Sequence, residues 1–299
     1  MSSGITLGLG EFYSLACALA WAAAVILFKK SGESLPPLPL NLFKNVLGLV
    51  LMVITALIAT GLPLPEIPPG AILAALLSGF IGIGIGDTLY FRALNSLGAS
   101  RMGIAQTLYS PFVIVLAAIF LGERLHGLQF LGVALVLAGI VLVNDLRGGD
   151  PAERRALRRG VAEAAASVFV MAVGVIISKQ LLEQYDFFWI VSWRLVGGSL
   201  GLLLVVALRR DTARTWAQFG AVRHWPHVIA GSIMGAYVSM ALWLAGYKYT
   251  QASIAAVLNE MAAVFIIVLA TVFLKDRLKP VQLAGSLVAV AGVVLVVWR

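Results

Sequence analysis

The chain has 299 residues, of which 61% are hydrophobic and only 12% charged. A soluble domain carries about a quarter charged residues, and no stretch between the long apolar runs exceeds about 18 residues, so a soluble domain of any size is excluded. The net charge of +8 does not point to nucleic acid, because the basic residues cluster in the polar segments that flank apolar runs.

An apolar run of about 18 or more residues can cross a hydrocarbon core about 30 Å thick as a helix. Ten such helices are predicted, at 8–29, 37–60, 70–92, 98–121, 127–145, 159–182, 187–208, 226–247, 251–274 and 280–298. Proline and glycine punctuate them at Pro36-Pro37, Pro63 to Pro69, Gly98, Gly148-Gly149-Asp150-Pro151 and Pro280. The predicted class is therefore an all-α membrane protein.

Span one has no Lys or Arg ahead of it and carries Glu11, so a retained helix is expected rather than a cleaved leader. Cys17, within it, is the single cysteine, which excludes an internal disulfide and a Cys-based metal site. The histidines, His126, His224 and His227, form no HExxH, and neither metal nor cofactor is expected. Span two carries Lys44, which can bind a carboxylate, gate a cavity, or simply snorkel to the interface. Span three ends GIGIGDTLYFR, with Asp87 and Tyr90 on one helical face. Asp87 reads either as a substrate-ammonium contact or as a partner of Arg92 or Arg101. In span four Gln106, Tyr109 and Ser110 share a face just before Pro111, which frees a backbone carbonyl and suits a cavity wall.

Glu123-Arg124 follows as a hairpin, expected to be an ion pair that fixes the turn, and Asp276-Arg277 repeats it after span nine. Span seven carries Arg194 beside Trp193, and span eight carries Tyr237 and Trp243, candidates with Trp21 for aromatic cavity walls. Asn259 and Glu260 lie deep in span nine. An ionisable group there costs about 2.5–3.5 kcal/mol on insertion scales, so it needs a partner or a purpose. Glu260 is a candidate for proton titration or amine binding, set against an internal ion pair or interhelical hydrogen bond. Gly79, Gly82, Gly84 and Gly86 in span three, and Gly197, Gly198 and Gly201 in span seven, are read as packing sites.

The chain repeats itself. Phe120 to Val143 and Phe273 to Val296, offset by 153, agree at 11 of 24 positions. Tyr90 then meets Trp243 and Gln106 meets Asn259; at an offset of 150 Lys44 meets Arg194. The predicted division is a five-helix repeat at 1–145, a charged linker at 146–158 and a second repeat at 159–299. Five is odd, so the copies enter the membrane from opposite sides, an inverted repeat. Sixteen of the 22 Lys and Arg residues lie in the odd-numbered loops. That bias assigns the odd-loop face to the cytoplasm and both termini to the outside.

Two five-helix copies, each closing on a hairpin such as Leu121-Gly122-Glu123-Arg124-Leu125 and then Gln129, Gly132 and Gly139, resemble the drug/metabolite transporter superfamily, and within it the ten-helix EamA-type exporters. The second copy departs at Lys275-Asp276, and Val264 stands where the first has Pro111. The chain looks most like the YddG-type amino-acid exporters. The resemblance implies a secondary-active exporter in the bacterial inner membrane. It also implies small-molecule cargo, above all aromatic and other amphiphilic amino acids, moved by alternating access of the two repeats. Protons are a candidate coupling ion. The lipid bilayer is the expected surround, and the protein is expected as a monomer or homodimer. The cargo-contact candidates are Asp87, Tyr90, Gln106, Tyr109, Tyr237, Trp243, Asn259 and Glu260. Lys44 and Arg194 are the candidates for gating or carboxylate binding.

Two rival readings remain. Gly84-Ile85-Gly86-Asp87 and Tyr185-Asp186 spell the GxGD and YD of intramembrane aspartyl proteases, in which two aspartates share a proton. Their order is reversed here, Asp186 falls in a loop, and the five-plus-five repeat does not fit. A channel is the second alternative, and sustained unitary currents would distinguish it.

Overall fold

The computed structural model of the chain describes residues 7–298 apart from 32–34, 63, 98–107, 144–150, 209–211, 221, 223 and 275–279. The first repeat runs α1 (Leu9–Ser31), α2 (Pro37–Thr60), α3 (Pro69–Gly79), a π-helical segment π1 (Phe80–Ile85), α4 (Gly86–Leu97), α5 (Tyr109–Phe120) and α6 (Gly127–Val143). The second runs α7 (Pro151–Gln184), α8 (Phe187–Leu208), the short α9 (Thr212–Gly220) and α10 (Trp225–Ser232). It continues through π2 (Ile233–Val238), α11 (Ser239–Tyr249), α12 (Ala252–Asn259), α13 (Ala262–Leu274) and α14 (Pro280–Val297).

These elements stand at the ten predicted spans. α3, π1 and α4 make span three; α10, π2 and α11 make span eight; α12 and α13, divided at Glu260, make span nine. Seven described helices are long and apolar enough to cross a membrane. Shorter apolar stretches, Tyr109–Phe120, Gly127–Gly139 and Leu283–Val297, stand at spans four, five and ten. Proline starts α2 and α3, where its missing N–H is no loss. Gly61 and Gly122 take φ of 67° and 68° at the exits from α2 and α5, a backbone region that side chains disfavour. The segment read as a linker differs in one respect: α7 begins at Pro151, so the last part of 146–158 is helical and runs unbroken into span six.

The inversion is visible in packing. α6 and α14, equivalent helices of the two repeats, pack chiefly on each other. Gly132 lies against Gly292 and Gly139 against Gly285. The earlier glycine of one helix meets the later glycine of the other, so the pair is antiparallel. A Cβ on Gly139 would sit 2.5 Å from the Gly285 carbonyl oxygen, so only glycine allows this approach. Other contacts recur with the halves exchanged. Span three packs on spans six and seven, and span eight on spans one and two. Gly198 against Ile83 is matched by Gly48 against Ala236. The Ser167 hydroxyl donates to the Gly86 carbonyl at 2.8 Å, and its counterpart is Cys17 Sγ at 3.5 Å from Ser239 Oγ. Even π1 and π2 are repeat mates at the 153 offset.

Candidate functional site

Between the repeats lies a cavity of about 590 Å³. The helix irregularities shape it. Gly82 and Ile83 of π1 and Gly235 and Ala236 of π2 lie on its wall, and the break in span nine places Asn259 and Glu260 there. Eight of the ten predicted residues line it: Lys44, Asp87, Tyr90, Tyr109, Arg194, Trp243, Asn259 and Glu260. Tyr237 does not. Its hydroxyl lies 2.6 Å from Thr55 Oγ1 on α2, and its ring packs against the core. Gln106 lies outside the described residues. Trp21, Ile266 and Ile267 supply apolar wall.

The charged groups carry the chemistry. Arg194 is only 2% exposed, and its Nη1 donates to the Gly174 carbonyl at 3.0 Å, to Ser178 Oγ at 2.7 Å and to Ser78 Oγ. Its guanidinium carbon lies 5.5 Å from the centre of the Trp243 ring. Lys44 Nζ lies 5.4 Å from the Trp21 ring centre. Both are cation–π contacts. Glu260 Oε1 accepts from Ser110 Oγ at 2.7 Å. Asn259 donates to the Ala255 carbonyl at 2.8 Å, while its buried Oδ1 has no partner among the described residues. Asp87 does not take Arg92 as its partner: that guanidinium bonds Glu163 at 3.2 Å, and Arg101 lies outside the described residues. Among the described residues none of Lys44, Asp87, Arg194 and Glu260 is in an ion pair. Four groups of both signs therefore line one space without direct contact, although Asp87 lies close enough to Lys44 and Arg194 to feel their charge.

On the even-loop side a set of bonds ties together the ends of spans one, four, six, eight and nine. The Tyr109 and Tyr247 hydroxyls lie 2.9 Å apart, and the Tyr247 ring packs edge-on against Trp243. Lys179 Nζ donates to the carbonyls of Tyr247 and Thr250 at 2.8 and 2.9 Å, where a cation suits the C-terminus of α11. The expected Glu123–Arg124 ion pair is not what forms. Glu123 instead crosses to the other repeat and caps α12, accepting from Ala252 N at 2.6 Å, Ser253 N at 2.9 Å and Ser253 Oγ at 2.8 Å. Those amides at a helix start have no intrahelical acceptor, so a carboxylate is favoured there over a neighbouring guanidinium in water. Glu11 adds a bond from Thr250 Oγ1 at 2.9 Å. Asp276-Arg277 lies outside the described residues.

Sequence reasoning overlooked several of these participants. Ser78 and Ser178 hold Arg194, and nothing in their local sequence marks them. Tyr247 and Lys179 carry no local motif that marks them. Asp186 stands in the loop before α8, and its Oδ1 caps that helix by accepting from Trp189 N at 3.0 Å.

A model of the EamA-like transporter family matches residues 8–145 and again 158–298. An "Uncharacterized transporter YvbV" of Bacillus subtilis (strain 168) is 25% identical over 285 residues, covering 93% of this chain and 88% of that one. An "Uncharacterized transporter in cobO 3'region" of Sinorhizobium sp is 34% identical over 141 residues, 44% of this chain and 94% of that one. A solved crystal structure at 19% identity superposes with a TM-score of 0.78 over 97% of this chain and 99% of its own, a likeness of fold.

Proposed function

Since the chain belongs to the EamA-like transporter family, we propose that it exports small amphiphilic metabolites, amino acids first among them, across the bacterial inner membrane. It is a multi-pass membrane transporter and not an enzyme. The observation that supports amino acids is the set of four charges lining the cavity without an ion pair. Two cations and two carboxylates beside Trp21, Trp243 and Tyr109 are a lining that a zwitterion with an apolar side chain satisfies. The cost of holding such charges in a membrane protein is offset when the cargo completes them.

The proposed cycle is rocking of the two repeats about this midplane cavity. In the present state the Glu123, Lys179 and Glu11 contacts hold the even-loop face shut. Glu260 exchanges a proton for the cargo's ammonium group, which Ser110, Asn259 and Tyr109 surround. The charge bias of the loops makes the shut face the outer one. The test is uptake of labelled amino acids by proteoliposomes of the purified protein, with and without a pH gradient. Gradient-stimulated uptake of phenylalanine or another apolar amino acid supports the reading. Vesicles that take up none of a full amino-acid panel reject it.

A further inference from the structure

Arg194 and Lys44 are repeat mates, yet the fold treats them differently. Lys44 is half-buried on a flexible stem, held by the Trp21 ring face. Arg194 is fixed from three sides. Span three supplies Ser78, span six supplies Gly174 and Ser178, and all three act on Nη1 alone. Trp243 covers the guanidinium face, and Gly82 of π1 lacks the Cβ that would lie 2.9 Å from Nη2. The Nε is buried and has no hydrogen-bond partner among the described residues. A structural tie between spans three, six and seven accounts for Nη1. It does not account for a buried charged donor left unsatisfied, nor for the lack of an ion pair to Arg194 among the described residues.

We propose that Arg194 is the fixed anchor for a carboxylate on the transported solute, which it binds through the part of the guanidinium that lines the cavity. The proposal rests on the cavity being the cargo site. With one face under Trp243 and Nη1 occupied, an acceptor must approach in the plane of the fork, which is the geometry of carboxylate recognition. Lys44 does not discriminate in this way, because a rotating ammonium on a long stem offers charge without direction. A solute lacking a carboxylate therefore binds poorly even when its apolar part is unchanged.

The experiment titrates the purified full-length protein in nanodiscs with 3-phenylpropionate, its neutral amide and phenethylamine, reading tryptophan fluorescence. The acid should bind at least about tenfold more tightly than the amide or the amine. Arg194→Gln should weaken the acid on the order of 100-fold and affect phenethylamine far less. Arg194→Lys should recover only part of that loss, and Lys44→Gln should weaken acid binding less than Arg194→Gln does. If Arg194→Gln does not fold, the ranking of the three ligands on the unaltered protein decides. Equal binding of acid and amide, no binding of the acid, or a folded Arg194→Gln protein with undiminished acid affinity overturns the proposal. A protein that ranks the ligands as expected but moves no amino acid in vesicles keeps the anchor and rejects the export reading.

Discussion

Replacing Glu123 with Gln should loosen the closed face. The carboxylate accepts three bonds from the start of α12, at 2.6, 2.9 and 2.8 Å. Hydrogen bonds to a charged group contribute about 1.5–3 kcal/mol each, and an anion at a helix N-terminus about 0.3–1 kcal/mol more. Glutamine keeps one acceptor oxygen but turns an NH₂ toward the remaining donors. It therefore loses at least one charged bond and the dipole term, for a net loss of about 2 kcal/mol, or roughly 30-fold in the closed-to-open ratio. The chain supplies its own reporter, since Cys17, its single cysteine, is 4% exposed and lies on the cavity wall. A membrane-impermeant maleimide added on the even-loop side should label Cys17 about 30-fold faster in the variant, with no gain from the opposite side. Labelling rates within twofold of the unaltered protein from both sides would refute the latch.

Three further outcomes follow from the same geometry. Gly139→Val drives a side chain into the Gly285 carbonyl and should lower the melting temperature of the detergent-purified protein by several degrees. Gly70→Ala, with nothing within 4 Å of the new carbon, should leave it unchanged. Glu260→Gln should make exchange of unlabelled for labelled substrate independent of pH between about 5 and 8, and a retained pH profile would remove Glu260 from the coupling step. Tyr237→Phe should leave the apparent KM for transport within about twofold while costing about 1 kcal/mol of stability for the lost bond to Thr55; a large KM change would place Tyr237 at the cargo after all.

The ten spans and their duplication were legible because hydropathy and a fixed offset are properties of the chain itself. The antiparallel contact of α6 with α14 follows from an odd helix number per repeat, and the glycines that make it possible, Gly132 and Gly139 in one copy and Gly285 and Gly292 in the other, stand seven residues apart in the sequence. The cavity was legible to the extent that polar residues deep in apolar runs have few other reasons to be there, which is how Asp87, Asn259 and Glu260 were found. Two kinds of feature stayed hidden. A π-helical turn adds one residue to a turn without changing hydropathy, so π1 and π2 leave only the paired Gly82 and Gly235 as a trace. Tyr237, inside π2, turns toward Thr55 for a reason no spacing rule displays. Contacts between the repeats were hidden as well. Glu123 reads as half of a local ion pair until folding brings the start of α12, about 130 residues downstream, within reach of its carboxylate.

The claim on which the rest depends is that cargo and proton meet in one cavity and exchange there. It is tested most directly by the pH inside proteoliposomes that hold a trapped indicator and start without a gradient. Adding phenylalanine outside should drive protons out and make the lumen alkaline, in proportion to uptake of the labelled amino acid, and Glu260→Gln should abolish the pH change even at substrate concentrations high enough for residual exchange. Uptake of phenylalanine at the full rate with no change in lumen pH would contradict the exchange of cargo for protons in this cavity.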